Sequence, residues 1–97
     1  MKILFDQGTP VPLRRYLPEH AVTTVYELGW SEMANGELLQ AAEAAGYELF
    51  LTTDQNLRHQ QNLSRRQIAI AVLPPTSWPR LKLGVTAINE TLSAIGP

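Results

Sequence analysis

The chain predicts an α/β domain built on a small, mostly parallel four-stranded sheet with helices on both faces. Three observations carry that expectation. Short apolar runs alternate with segments of helical spacing, a pattern that favours parallel strands joined by right-handed crossovers. Two of the apolar runs lead into an aspartate, and in such sheets functional groups gather beyond the carboxyl ends of the strands. No repeat, low-complexity stretch or linker interrupts the 97 residues, a length that fits one domain over residues 1–97 and leaves no room for a second.

The first apolar run, Lys2 to Phe5, stops at the turn signal Asp6-Gln7-Gly8. Thr9-Pro10 resembles an N-cap followed by proline at the first helical position, with Leu13, Tyr16 and Leu17 at helical spacing behind it. Pro12 is tolerable in that first turn, and Pro18 ends the helix. Ala21 to Tyr26 is rich in β-branched residues and stops near Gly29, so it is expected as the second strand. Asn35 is a suitable N-cap for a helix carrying Leu38, Leu39, Ala41, Ala42 and Ala45, and Gly46 is its stop.

Glu48 to Thr52 is the expected third strand, again followed by an acid, Asp54. The polar stretch Asn56 to Ser64 is expected to form one or two helical turns. Gln67 to Leu73 is nearly all apolar and is expected as a fourth strand buried on both faces, broken by Pro74-Pro75. A last helix from about Pro79 or Leu81 to Ile95 would align Leu81, Val85, Ile88, Leu92 and Ile95 on one stripe.

Composition bounds the function. A hydrophobic fraction of 44% and a charged fraction of 18% are ordinary for a soluble globular protein. A chain this short buries only about two-thirds of its unfolded surface, so its core must be efficient. The absence of cysteine excludes a disulfide framework and thiolate metal sites. Lys2 and Asp6 flank only three apolar residues, which is not a signal peptide, and no run reaches the roughly 20 residues of a membrane span. A cytoplasmic location is therefore expected. Net charge is −1, from 8 basic and 9 acidic residues. That is not the balance of a protein that coats nucleic acid, yet it is compatible with a nuclease whose metal site is acidic and whose basic patch is local.

The carboxylates at strand ends are the first candidates for chemistry. Mg²⁺ prefers oxygen ligands and keeps several waters, so two or three carboxylates suffice to hold it. Asp6 follows Ile-Leu-Phe and Asp54 follows Leu-Phe-Leu-Thr-Thr, so buried strands fix the backbone beneath each. Glu37, in the first turn of the second helix, could reach the same end of the sheet. The structural alternatives are plain: an aspartate after a strand is often a turn or cap residue. A glutamate in a first turn is favoured by the helix dipole at roughly 0.3 to 1 kcal/mol. Glu27 and Glu32 flank the loop Leu28 to Ser31 near the site and remain outsiders. Glu43 and Glu90 fit solvated helix faces, and Glu48 precedes a strand.

Asp54 to Leu63 packs amides, a guanidinium and an imidazole into one polar stretch. Arg58 is suited to bidentate phosphate binding, and Asn56 to orienting a metal-bound water or a ribose. His59 has no motif relation to His20 and is expected at the surface, as are Gln60 and Gln61. The pairs Arg14-Arg15 and Arg65-Arg66 could flank a phosphate path, although such pairs usually serve solubility. Trp30 and Trp78 lie in loops, where an aromatic side chain stacks on a base, anchors an interface or, more often, lids a small core. No glycine-rich phosphate loop, nucleophile elbow or zinc-binding helix motif is present.

The opening Lys-Ile-Leu-Phe-Asp-Gln-Gly, the helix start Asn-Gly-Glu-Leu-Leu and the segment Leu-Thr-Thr-Asp-Gln-Asn-Leu resemble a family of short bacterial PIN-like proteins. The likeness runs to about Leu73. It implies a PIN-like three-layer α/β/α fold, a metal-dependent ribonuclease site using Mg²⁺ or Mn²⁺, and kinship with VapC-type toxins whose activity an antitoxin protein blocks. Carried over by position, Asp6, Glu37 and Asp54 correspond to the acidic metal site. Many relatives have Asp-Glu-Asn after the first strand and Asp-Lys-Asp after the third. This chain has Asp6-Gln7-Gly8 and Asp54-Gln55-Asn56, so a fourth carboxylate has become an amide.

The leading expectation is a metal-dependent endoribonuclease and toxin component, with Asp6, Glu37, Asp54 and Asn56 as catalytic residues and Arg58 on the substrate. The rival is a catalytically weak or inactive module of the same fold that binds protein or RNA, favoured by the lost carboxylate and the ordinary net charge. A small phosphatase-like or nucleotide-binding protein trails both for want of a phosphate loop. A small two-sided sheet with limited core is also compatible with a homodimer.

Overall fold

A computed structural model describes residues 1–54 and 68–73, together with positions 84, 86, 88 and 90. Four strands, β1 (Lys2–Phe5), β2 (Ala21–Thr24), β3 (Leu49–Thr52) and β4 (Ala69–Val72), form one sheet in the order β2-β1-β3-β4. All three strand pairings are parallel, Leu4 lying beside Thr23 on one side and Phe50 on the other, with Phe50 in turn beside Ile70. The expected alternation therefore yields an α/β domain whose four-stranded sheet is parallel throughout.

Period-two alternation in β1 and β3 divides the core between the faces of the sheet. Ile3, Phe5, Leu49 and Leu51 join Leu13, Leu17 and Leu73 in one buried cluster. Leu4 and Phe50 join Val25, Leu38, Leu39, Ala42, Tyr47 and Ile68 in the other. The first cluster is closed by a 3-10 helix, Val11–Tyr16, and the second by α1, Asn35–Ala44. Ile88, on the expected last helix, packs against the first cluster; Leu81, Val85, Leu92 and Ile95 lie outside the described residues. The helical turns expected over Asn56 to Ser64 lie outside them too.

Three expectations are corrected. The segment after β1 is a 3-10 helix, with Leu13 N–H donating to Pro10 at 3.1 Å and Leu17 N–H to Arg14 at 3.1 Å. Pro12 supplies no N–H and Pro18 blocks extension, so a six-residue stretch between prolines settles for the tighter i to i+3 pattern. Thr9 is not its cap: the buried hydroxyl instead donates to the Leu51 carbonyl at 2.9 Å. In α1 the cap position belongs to Ala34, whose carbonyl accepts the Leu38 N–H at 2.8 Å, and Asn35 is the first helical residue.

The third correction concerns β4, all four residues of which are half-buried rather than sealed on both faces. Among the described residues it pairs with β3 alone, at the flank of the sheet, where its faces are covered less completely than those of β1 and β3.

The end of α1 follows the expectation. Gly46 has φ +86°, its N–H donates to Glu43 at 3.0 Å, and Tyr47 N–H donates to Ala42 at 3.0 Å. This is the paired bonding of a Schellman motif, and Tyr47 and Ala42 also share a buried cluster.

Candidate active site

The strand order fixes where a site can form. The chain leaves β1 for β2 on one side and then returns across β1 to lay down β3 on the other. In open α/β sheets sites tend to form at the carboxyl ends of the strands where the winding reverses. Here the loop after β1 packs against the loop after β3, and the cleft beside Asp6 opens on the β2 side. Asp6 directly follows β1, and Asp54 lies two residues after β3.

Asp6 is anchored before its side chain does anything, since its N–H donates to Leu51 at 2.8 Å and prolongs the β1–β3 ladder. One carboxylate oxygen, Oδ1, accepts the Gln7 N–H at 2.8 Å, which is the turn-forming role expected of an aspartate after a strand. The other, Oδ2, accepts the Thr52 hydroxyl at 2.7 Å from the neighbouring strand. The same Thr52 Oγ1 accepts the Asp54 N–H at 3.0 Å. Thr52 is fully buried, so a single fixed hydroxyl joins the Asp6 carboxylate to the Asp54 backbone.

The turn presses hard on this arrangement. Thr9 N–H donates to the Asp6 carbonyl at 3.0 Å. A Cβ on Gly8 would come within 2.7 Å of Thr53 Oγ1, so the absence of a side chain lets the two loops approach.

A second group of residues adjoins the first. Thr24 N–H donates to Glu27 Oε1 at 3.0 Å, and Glu27 N–H donates to Thr24 Oγ1 at 3.1 Å, the reciprocal bonds of a capping box. Arg14 Nη2 and Nη1 donate to the two Glu27 oxygens at 2.5 and 3.3 Å, linking this turn to the 3-10 helix. The Arg14 guanidinium and then the Thr24 N–H hold the Glu27 carboxyl below its ordinary value of 4.5. Between helix and turn opens a cleft of about 330 Å³, which Asp6 also lines. Sequence reasoning left Glu27 an outsider; the signal it carried was the Thr-x-x-Glu spacing at the end of β2.

The remaining candidates fall elsewhere. Glu37 is exposed in the first turn of α1. Among the described residues no three His, Asp or Glu side chains gather into a group that could hold a metal ion. Asp6 and Asp54 remain, each a carboxylate of the hard oxygen kind that Mg²⁺ accepts. Asn56, Arg58 and His59 lie outside the described residues. Of the basic pair Arg14-Arg15, Arg14 is engaged by Glu27 and Arg15 is exposed. Trp30 packs against the second core cluster, as a lid to the core would. Glu48 accepts the Lys2 N–H at 3.1 Å, and Lys2 Nζ donates to the Ala45 carbonyl at the end of α1 at 2.6 Å.

Comparison with protein-family models, with curated proteins and with solved structures returns no match.

Proposed function

We propose that the protein is a metal-dependent endoribonuclease whose site lies at the carboxyl ends of β1 and β3. The observation that supports the reading is the buried Thr52 hydroxyl, which bonds the Asp6 carboxylate and the backbone N–H of Asp54 where the sheet winding reverses. A turn aspartate needs only its own loop. Asp6 is in addition oriented from the adjacent strand, which is how a ligand or general base is held in place.

Asp6 and Asp54 would hold the ion; Glu37 is retained as the third acid on the resemblance to PIN-like proteins alone. A bound Mg²⁺ or Mn²⁺ supplies a water of lowered pKa and positive charge beside the phosphate. The chain's own part is to fix the acids: the β1–β3 ladder sets the Asp6 backbone, and Thr52 orients its carboxylate. Asn56 and Arg58 are assigned to water and phosphate. A PIN-like three-layer arrangement belongs to the same proposal, supported by the strand order and by apolar clusters on both sheet faces. So do RNA as substrate, a cytoplasmic setting, a role as toxin with an antitoxin protein as partner, and a second copy of the chain as a further partner.

Replacing Asp6 by Asn keeps the shape and removes the charge. Asp6→Asn is expected to abolish Mn²⁺-dependent cleavage of RNA while the far-ultraviolet circular dichroism stays that of the parent. Cleavage at the parent rate would defeat the assignment. Millimolar Mn²⁺ should also raise the melting temperature of the parent and not of Asp6→Asn, because an ion that binds only the native state stabilises it by mass action.

A second reading, a binding module of the same fold with little or no catalysis, is favoured by the absence of a three-acid group among the described residues and by the amide at position 56. An unchanged melting temperature in Mn²⁺ would select it.

A further inference from the structure

We propose that the cleft between the 3-10 helix and the turn after β2 is a stacking subsite for one nucleobase of single-stranded RNA, with the Tyr26 ring as its platform. The location beside the acids rests on the ribonuclease reading; the stacking itself does not. Among the described residues the large hydrophobic side chains left exposed are Val11, at 55%, and Tyr26, at 78%. Both line this one cleft. Two outward apolar groups converging on a cavity, in a domain short of core, point to a planar apolar guest.

The platform is held ready. Tyr26 sits inside the Thr24–Glu27 capping box, and Arg14 fastens the box to the 3-10 helix. Its carbonyl accepts the Gly29 N–H at 3.0 Å, which fixes the far side of the turn. The backbone beneath the ring needs no further ordering when a base arrives, and pre-organisation of this kind favours binding.

Charge decides between base and phosphate. The Arg14 guanidinium is committed to Glu27, and Asp6 adds a second carboxylate to the same walls, so the cleft is net negative. A phosphate is repelled there, whereas a neutral aromatic base is not. Size agrees, because about 330 Å³ lies at the lower end of small-molecule pockets and suits a single planar group. Asp6 lines the cleft as well as ending β1, so a base on Tyr26 lies beside the carboxyl end of that strand.

The test uses the full chain, EDTA to suppress cleavage, and fluorescence anisotropy of a labelled short oligoadenylate. Tyr26→Phe keeps the ring and should bind within about twofold of the parent, whereas Tyr26→Leu and Tyr26→Ala should bind roughly five- to a hundredfold more weakly. Tyr26 is exposed, so melting curves of all three should match the parent. Parent-like affinity in Tyr26→Leu and Tyr26→Ala overturns the subsite, as does failure of the parent to bind the oligonucleotide. If the parent instead self-associates on sedimentation and Tyr26→Ala does not, the cleft is a protein contact and the subsite is likewise overturned. The two readings fail separately. Tyr26-dependent binding without Mn²⁺-dependent cleavage keeps the subsite and removes the nuclease, and cleavage indifferent to Tyr26 does the reverse.

Discussion

Thr52 has one hydroxyl hydrogen and two lone pairs, and the fold uses both kinds of capacity on acids or their backbone. The hydrogen goes to Asp6 and a lone pair receives the Asp54 N–H. Thr52→Val preserves shape at a fully buried position while leaving that N–H and the half-buried Asp6 oxygen short of a partner. A loss of about 1–3 kcal/mol is expected, seen as a lower urea midpoint at unchanged slope. Mn²⁺ stabilisation should weaken in the same variant, because the acids lose their common tie. Glu27 gives a pH dependence of known sign. Its folded carboxyl is held below 4.5, chiefly by Arg14, so the stability it contributes is present above that value and is lost as pH falls through the lowered one. Glu27→Gln should therefore melt slightly lower than the parent at neutral pH, and the gap should close in acid. The effect is small and shrinks with added salt, because the pair is 35% and 46% exposed.

At the level of elements, the end of α1 offers the cleanest measurement. Gly46 stands at φ +86°, and a Cβ there would meet only Lys2 Nζ at 3.9 Å. Gly46→Ala therefore isolates backbone strain from steric clash, and a loss of about 1–2 kcal/mol in urea denaturation is expected. Features settled by local chemistry were legible in the sequence: Lys2–Phe5 is found as read, and Gly46 ends its helix. Features settled by distant partners were not. Thr9 looked like a cap because its hydroxyl could not be seen to face Leu51, a residue far along the chain. β4 looked buried on both faces because apolarity alone does not say how completely the layers on either side cover a strand at the flank of the sheet. The Thr24–Glu27 box escaped notice because such boxes usually announce a helix, and here only a turn follows.

For the whole molecule, alternation foretold parallel strands, but the order β2-β1-β3-β4 depends on non-local pairing that no short motif encodes. The site is legible to the same extent: Asp6 and Asp54 could be placed at strand ends, whereas the hydroxyl between them appears only once β1 and β3 are side by side. The central pair also supplies both faces of the core, so its side chains should dominate stability. Phe50 is fully buried, and Phe50→Ala is expected to lose about 3–5 kcal/mol, on the order of 10–30 °C in melting temperature for a domain of this size. Calorimetry distinguishes that loss from the silent melting curve expected of Tyr26→Ala.

The central strand is also the first to be synthesised. Ile3, Leu4 and Phe5 leave the ribosome early, yet Leu49, Phe50 and Leu51, which flank them in the finished sheet, emerge only after β2 and α1. Throughout that interval the nascent chain carries an apolar segment that is fully buried in the finished fold, uncovered on one side. Stalled or prematurely terminated products that end before Leu49 should therefore be preferred clients of chaperones and proteases, whereas chains released beyond Thr52 can close the sheet around β1.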